Sequence, residues 1–318
     1  MGKPKIEIAD ETHGRLSAAT SGRPVNRAVA KSMALYLMNA KGLAVLRACV
    51  LELPPGSISF VVSARDGAVQ NDYYEDIFGI CGDHQIPFFY RKDAPACDIG
   101  LAIGWRWLIR TCDRLVVCHD SLLPRYRGFA PLPTALIAGE QMVGVTALYA
   151  SDGYDSGDII AQRSVSLTYP VKIQTVIERV SGLYADLVIE IARKCIHGEP
   201  LPATPQDESK ATYSLWRDEE DYRIDWNRDA SAIARFIDAV GYPYRGAAAL
   251  LNGQMVRILD AVPERDVRIE LRQLGKVIFV RSGEPVVVCG FGLLRLKDVR
   301  DAQGQSLLPL AKFRSRFA

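Results

Sequence analysis

The histidine at position 119 stands where a side chain could do chemistry. It ends the apolar run "LVVCH" (115–119), and the proline-containing stretch "DSLLP" follows it. Side chains alternate along a strand, so Leu115, Val117 and His119 would share one strand face. At the carboxyl end of a parallel strand, where open α/β sheets bind ligands, an imidazole can act as a general acid or base. The strand alone leaves open a core histidine bonded to a backbone carbonyl.

A carboxylate that could work with this histidine lies in "SDGYDSGD" (151–158), after the apolar run "GVTALYA". Asp and Gly are common in turns, so this stretch by itself predicts only a turn around Asp155. Held against His119, the carboxylate would fix the imidazole tautomer and raise its basicity. Taken by itself, this stretch gives no reason to assign the two residues a shared role.

Hydrophobic patterning predicts the elements that must position this pair. Between residues 32 and 200, short continuous apolar runs alternate with stretches of helical spacing. Predicted strands are "SMALYLM", "SISFVVSARD", "IPFFY", "CDIGLAIGW", "RLVVCH" and "VGVTALYA"; predicted helices are "LAVLRACVLEL", "NDYYEDIFGICGDH", "PLPTALIAGE" and residues 173–196. This order is typical of an α/β, Rossmann-like, mostly parallel sheet that is covered on both faces.

A change in composition marks the end of the α/β region. "GEPLPATPQDESKATY" contains three prolines and many polar residues, which is typical of a linker. Beyond it, one helix, a hairpin at Asn252-Gly253 and three further strands predict a small β-barrel-like domain. We therefore predict an irregular N-terminal extension (1–30), a catalytic domain (31–200), a linker (201–212) and a C-terminal β-barrel-like domain (213–318).

Composition argues against several classes of protein. Hydrophobic residues make up 48% and charged residues 24%, as in ordinary globular proteins, and no apolar run reaches the ~18 residues of a membrane helix. We expect a cytoplasmic protein that does not bind membranes. The seven cysteines show no C-x-x-C spacing, so neither a zinc site nor a disulfide framework is expected. The net charge of +2 does not favour a nucleic-acid partner.

The two polar stretches together resemble the paired signature of the folate-dependent formyltransferases. This superfamily includes methionyl-tRNA, glycinamide ribonucleotide and sugar N-formyltransferases. Its pattern is Asn-x-His-x-Ser-Leu-Leu-Pro-x-x-Arg-Gly, then a Gly-Val-Thr strand and an Asp-x-Gly-Asp turn. The matching residues are His119, Ser121, Leu122, Leu123, Pro124, Arg127 and Gly128 in the first half, and Asp155, Gly157 and Asp158 in the second. The resemblance extends from near Ser32 through the C-terminal unit.

The resemblance implies transfer of a formyl group from N10-formyltetrahydrofolate to an amine. His119 would stabilise the developing oxyanion or relay the proton, and Asp155 would orient His119 directly or through water. By the same resemblance, the folate would lie against Gly104, Trp105, Arg106, Trp107, Leu108, Ile109, Asp152, Gly153 and Tyr154. Candidate acceptor-binding residues are Ser121, Leu122, Leu123, Tyr126, Arg127 and Trp216.

Val117 departs from the family pattern, because it stands where the family has asparagine. That amide would share a face with His119, and loss of one oxyanion donor costs about 2.7–4 kcal/mol. Three accounts stay open. Another donor (a serine, a backbone N–H or a water held by Asp155) replaces the amide, or the fold catalyses a different reaction with His119 and Asp155 as acid and base, or the protein binds folate without turnover.

The acceptor expected from this charge balance is a small-molecule amine, such as an amino sugar, a sugar nucleotide or an amino-acid-derived precursor. Binding of tRNA usually needs a strongly basic surface, whereas residues 264–318 carry only eleven basic against six acidic groups. Methionyl-tRNA is therefore the alternative acceptor, and a homodimer stays open.

Overall fold

The computed structural model describes residues 32–318, so the predicted extension 1–30 lies outside the described part. Its first region contains β1 (Met33–Leu37), α1 (Asn39–Glu52), β2 (Ile58–Ser63), α2 (Tyr74–Asp83), β3 (Phe88–Tyr90), β4 (Cys97–Ile103), β5 (Cys112–His119), β6 (Arg127–Gly128), α3 (Pro131–Ala138), β7 (Met142–Tyr149), β8 (Ile159–Ser166) and α4 (Ile173–His197). The alternating strands and helices predicted from the sequence are confirmed. The short strand β6 and the edge strand β8 are additions.

Seven of these strands form one sheet in the order β3-β2-β1-β4-β5-β7-β8. Strands β1 to β5 run parallel, whereas β7 pairs antiparallel with both β5 and β8. The chain builds outward from β1 to β3 and then crosses to β4, so the order reverses between β1 and β4. A reversal of this kind leaves a crevice at the carboxyl ends of the strands, which is where His119 lies.

Both faces of this sheet are covered, as expected, but among residues 32–318 α-helices cover only one of them. One face packs against α1 to α4 in the main hydrophobic core. The opposite face forms a smaller cluster around Tyr36, Phe60 and Val62, and no residue of that cluster in 32–318 comes from an α-helix. Only eight residues (104–111) connect β4 to β5. Side chains of this connection, including Trp105, cover the face instead.

The C-terminal region is a closed antiparallel sheet with one helix. It comprises β9 (Tyr213–Ser214), α5 (Ala230–Ala239), β10 (Ala247–Leu251), β11 (Gln254–Glu264), β12 (Val277–Arg281), β13 (Glu284–Val288) and β14 (Leu293–Arg300). Five strands pair in the order β10-β11-β14-β13-β12. The chain end joins the two edges, because Ala318 bonds Leu250 while Ser315 and Phe317 bond the backbone at Val277 and Gly275. The predicted β-barrel-like domain with its Asn252-Gly253 hairpin is confirmed.

A loop of the C-terminal region reaches the crevice of the first sheet. The Gln70 backbone N–H donates to the carbonyl of Pro243 at 2.9 Å, and its side-chain amide donates to the carbonyl of Tyr244 at 2.7 Å. Burial raises the pKa of Tyr244 above its usual value. The loop therefore forms part of the crevice wall. Across residues 32–318, none of the helices combines the length and apolar character that crossing a membrane requires.

Candidate active site

His119 lies at the end of β5 with both ring nitrogens facing oxygen atoms. Its side chain is 9% exposed. Nε2 lies 2.8 Å from the carbonyl oxygen of Tyr126, and Nδ1 lies 3.5 Å from Oδ2 of Asp155. The structure thus brings together the two residues that the sequence predicts as a catalytic pair, and it adds a backbone carbonyl as a third member.

The Tyr126 carbonyl is aimed at His119 by a loop in an unusual conformation. Tyr126 has φ +60°, a left-handed value that costs free energy in a residue with a side chain. Its N–H donates to Oγ1 of Thr212 at 2.9 Å, and its hydroxyl donates to Glu140 at 2.6 Å. Burial and this bond to Glu140 raise the pKa of Tyr126 to about 12. Contacts at both ends of the residue therefore hold the carbonyl in place.

Asp155 is held by its backbone and its carboxylate. The residue has φ +49° in the connection between β7 and β8. Oδ2, the atom that faces His119, accepts the backbone N–H of Gly128 at 2.8 Å. The same oxygen therefore accepts a hydrogen bond from the loop that follows His119 (residues 120–128, the histidine loop) and faces the imidazole.

This arrangement allows the imidazole to accept a proton at Nδ1. A neutral imidazole carries one N–H, and the Tyr126 carbonyl accepts it at Nε2. The lone pair then lies on Nδ1, beside the negative charge of Asp155. Nδ1 is thus the ring nitrogen that is open to a proton, 3.5 Å from Oδ2 of Asp155. The geometry supports proton transfer at Nδ1 of His119.

A buried ion pair that sequence reasoning missed lies directly beside His119. Asp120 bonds the ammonium of Lys41 on α1, and it accepts the hydroxyl of Tyr184 on α4 at 2.5 Å. Burial would raise the pKa of Asp120, but the Lys41 charge and the bonds from Lys41 and Tyr184 outweigh it and lower that pKa. The group ties the end of β5 to two helices. No local sequence signal links residues so far apart.

Two loops border the face of β5 that carries His119. The connection after β4 places Trp105 and Ile109 in one apolar cluster with Leu115 and Val117. The connection after β7 starts beside Leu115, whose carbonyl accepts the Ala150 N–H at 2.9 Å, and returns Asp155 to His119. Leu115 and Val117 thus form an apolar floor between the two loops. Their half-buried side chains offer no hydrogen bond there.

Three of the nine residues predicted to contact folate direct their side chains toward other parts of the protein or to solvent. Arg106 forms an ion pair with the buried Asp66, and Trp107 stacks under the guanidinium of Arg91 at 4.2 Å. Leu108 is 81% exposed. The predicted contacts Gly104, Trp105, Ile109, Asp152, Gly153 and Tyr154 belong to the two bordering loops. Among the described residues, Nε1 of Trp105 is buried and has no hydrogen-bond partner.

The predicted acceptor-binding residues separate into two groups. Leu123 and Arg127 are buried, and the Ser121 hydroxyl donates a hydrogen bond to the Arg125 carbonyl at 2.7 Å. These side chains hold the loop together and are closed to a ligand in this structure, while Leu122 is only partly buried. Trp216 is 62% exposed. Tyr126 contributes its carbonyl rather than its ring.

The segment predicted as a linker contributes directly to the site. Arg127 is enclosed by Gln206 and Glu208, whose side-chain oxygens accept its guanidinium N–H groups at 2.7–3.1 Å. Residues 127–128 also pair with β9, and Thr212 holds Tyr126. A polar, proline-rich segment has no periodicity, so its sequence gave no signal of these contacts.

Comparisons with known proteins agree on one family. The model of the formyl transferase domain matches residues 100–191, and the model of the formyl transferase C-terminal domain matches residues 217–315. A methionyl-tRNA formyltransferase of Streptococcus sanguinis is 34% identical over 72% of this chain and 68% of its own length. The match to its counterpart in Syntrophomonas wolfei, 33% identical, spans 62% of that relative's length, and other curated relatives are covered to a similar extent.

Solved structures resemble the chain over most of its length. WlaRD, a sugar 3N-formyl transferase crystallised in the presence of dTDP and 5-N-formyl-THF, gives a TM-score of 0.64. It covers 84% of this chain and 98% of its own length, at 15% identity, which supports the fold alone. The fold, the two matched domains and the relatives that are a third identical lead to one conclusion: the chain belongs to the formyl transferase family.

Proposed function

We propose that this chain transfers a formyl group from N10-formyltetrahydrofolate to a primary amine. The observation that carries the proposal is the His119–Asp155 pair, set at the carboxyl end of β5 with a hydrogen bond that leaves Nδ1 as the proton acceptor. An amine that attacks a formyl carbon must lose a proton, and a carboxylate-supported imidazole is suited to take it.

We propose that the donor binds between the two loops. When bound, N10-formyltetrahydrofolate supplies the formyl group, and a flat ring system is compatible with the apolar floor of Leu115 and Val117. Backbone groups of residues 104–109 and 152–155 would hold the ring. His119 would take the proton at Nδ1, and Asp155 would stabilise the resulting charge.

Val117 shapes the chemistry that this chain can offer. Its side chain belongs to the apolar cluster of Trp105, so this position supplies no donor to a developing oxyanion. Ser121 is no replacement in this conformation, because its hydroxyl donates to the Arg125 carbonyl. We propose that a backbone N–H or a water held by Asp155 supplies the missing hydrogen bond.

As acceptor we propose methionyl-tRNA first. Curated proteins that are about a third identical to this chain are methionyl-tRNA formyltransferases. We give this similarity more weight than the charge balance, which favoured a small-molecule amine. The modest basic excess of residues 264–318 is compatible with a weak contact to tRNA.

A small-molecule amine is the second candidate, and the surface beside the site favours it. Exposed Tyr154, Tyr213 and Trp216 offer aromatic faces. The sequence "DEED" (218–221) follows Trp216 closely and would repel a phosphate backbone. Rings of a nucleotide-linked amino sugar could stack on such side chains.

The test is release of tetrahydrofolate from N10-formyltetrahydrofolate, measured with methionyl-tRNA and with a panel of amino-sugar nucleotides and amino-acid amines. Formylated methionyl-tRNA, with binding that weakens steeply between 50 and 200 mM salt, would support the first acceptor. Formylation of a small amine with little salt dependence would favour the second. Folate binding without transfer to any amine would overturn the proposed reaction, and absence of folate binding would overturn the donor as well.

A further inference from the structure

Gln206 connects the two loops that carry the catalytic pair. Its Nε2 donates to the backbone carbonyls of Asp155 and Gly157, both at 2.7 Å. Its Oε1 accepts from Nε and Nη2 of Arg127 at 3.1 and 2.8 Å. A primary amide has two N–H donors and one oxygen acceptor, so all hydrogen-bonding groups of this side chain are in use.

The loop that Gln206 holds cannot adopt this conformation without cost. Asp155 has φ +49°, and a Cβ at Gly157 would lie 1.9 Å from the carbonyl oxygen of Tyr149. Such a backbone persists only where its surroundings hold it. Thr204 adds a pair of backbone bonds to Ile159 at 2.8 and 2.9 Å, so the segment 204–206 fixes the loop at two points.

The position of the Asp155 carboxylate depends on this support. Oδ2 of Asp155 accepts from the Gly128 N–H and also lies near Nδ1 of His119. The position of the Asp155 backbone determines whether the short side chain can make both contacts. Arg127, which Gln206 also holds, is the neighbour of Gly128. The amide therefore sets the distance between the carboxylate and the loop that carries its partners.

We propose that Gln206 is a positioning residue for Asp155, so that the segment joining the two domains controls the catalytic carboxylate. The inference rests on the proposed formyl transfer. The hydrogen bonds of Gln206 go to the loop backbone at Asp155 and Gly157 and to the Arg127 side chain, and none goes to His119.

The variant Gln206→Glu removes the hydrogen bonds of residue 206 to the loop of Asp155 while keeping those to Arg127. A carboxylate can still accept from Arg127, but it cannot donate to the carbonyls of Asp155 and Gly157. Glu208→Gln is the matched control. Glu208 accepts from Nη1 and Nη2 of Arg127 at 2.8 and 2.7 Å, and it has no bond to the loop of Asp155. This variant replaces a carboxylate by an amide, whereas Gln206→Glu replaces an amide by a carboxylate.

Hydrogen–deuterium exchange of residues 151–158 is the first readout, because it does not need activity. Exchange there should rise at least tenfold in Gln206→Glu and not in Glu208→Gln, with both variants folded by circular dichroism. Unchanged exchange in Gln206→Glu would overturn the inference. If the wild type proves inactive with every acceptor, this arm still decides the positioning role while the proposed function fails by itself.

Kinetics is the second readout. Gln206→Glu should lower kcat about 100-fold with little change in the KM for the amine, since a shift of the loop by about 1 Å misplaces the catalytic group. Combined with Asp155→Asn it should cost little more than Asp155→Asn alone, because the two act through one group. Full additivity of the two losses, or a change in KM alone, would contradict the positioning role.

Discussion

Nδ1 of His119 lies 3.5 Å from Oδ2 of Asp155, while Nε2 of the same ring lies 2.8 Å from the carbonyl oxygen of Tyr126. This relationship assigns a different task to each ring nitrogen. Nε2 holds the ring in place, and Nδ1 is the atom that we propose exchanges a proton beside the carboxylate. The carboxylate in turn is fixed by Gly128 from the histidine loop itself.

Loss of either member of this pair should slow formyl transfer strongly. His119→Ala and Asp155→Asn should each lower kcat by about 10²–10⁴-fold, since each removes part of the proton-transfer group. Steady-state release of tetrahydrofolate measures the effect. Asp113→Asn, an exposed change at the other end of β5, is the control. Near wild-type turnover in Asp155→Asn would exclude a catalytic role for that carboxylate.

Val117→Asn should raise turnover and lower stability. The new amide would share the face of His119 and offer an oxyanion donor, but it would also place a polar group in the apolar cluster with Trp105, at a cost of about 1–3 kcal/mol. Measurements of kcat and of the free energy of unfolding in urea test both parts. Val117→Ala controls for the loss of packing. Equal turnover in wild type and Val117→Asn would indicate that a missing donor does not limit the rate.

Asp120→Asn should destabilise the protein at neutral pH, by about 3 kcal/mol, because it leaves the Lys41 ammonium half-buried and unpaired. The pKa of Asp120 is lowered in the folded state, so its charged form contributes stability above the ordinary carboxyl range and loses it as pH falls through the folded value. The difference between wild type and variant should therefore shrink below about pH 4. Urea unfolding at pH 7, 5 and 3 checks this, and a difference that is constant with pH would contradict it.

Alkylation should distinguish two neighbouring thiols at the other end of the sheet. Cys97 and Cys112 are register partners on β4 and β5, and the interactions of Cys97 with the Cys112 thiol and the Tyr36 hydroxyl outweigh burial and lower the pKa of Cys97. The thiolate is the reactive form, so iodoacetamide should modify Cys97 first and at a lower pH. Cys112→Ala should slow that reaction. Peptide mass spectrometry between pH 7 and 9 gives the order, and buried Cys118, with its pKa raised to about 12, should stay unmodified.

The sequence by itself determined most of the elements and the candidate catalytic side chains. Continuous apolar runs and the Asn252-Gly253 turn are local signals, so the strands, the helices and the C-terminal hairpin could be predicted from them. The two motifs identified His119 and Asp155, because their residue types and spacing are those of the family. The substitution at Val117 is also visible in the sequence alone.

Only the tertiary structure decided how these side chains are held. The Tyr126 carbonyl is a backbone group with no side-chain signature, and the contacts of Gln206 and Lys41 join segments far apart in the chain. Local patterning also could not reveal that loops rather than helices cover one sheet face. The physical reason is the same in each case. Periodicity reports which face of an element is buried, whereas the partner of a hydrogen bond depends on where the folded chain places distant backbone.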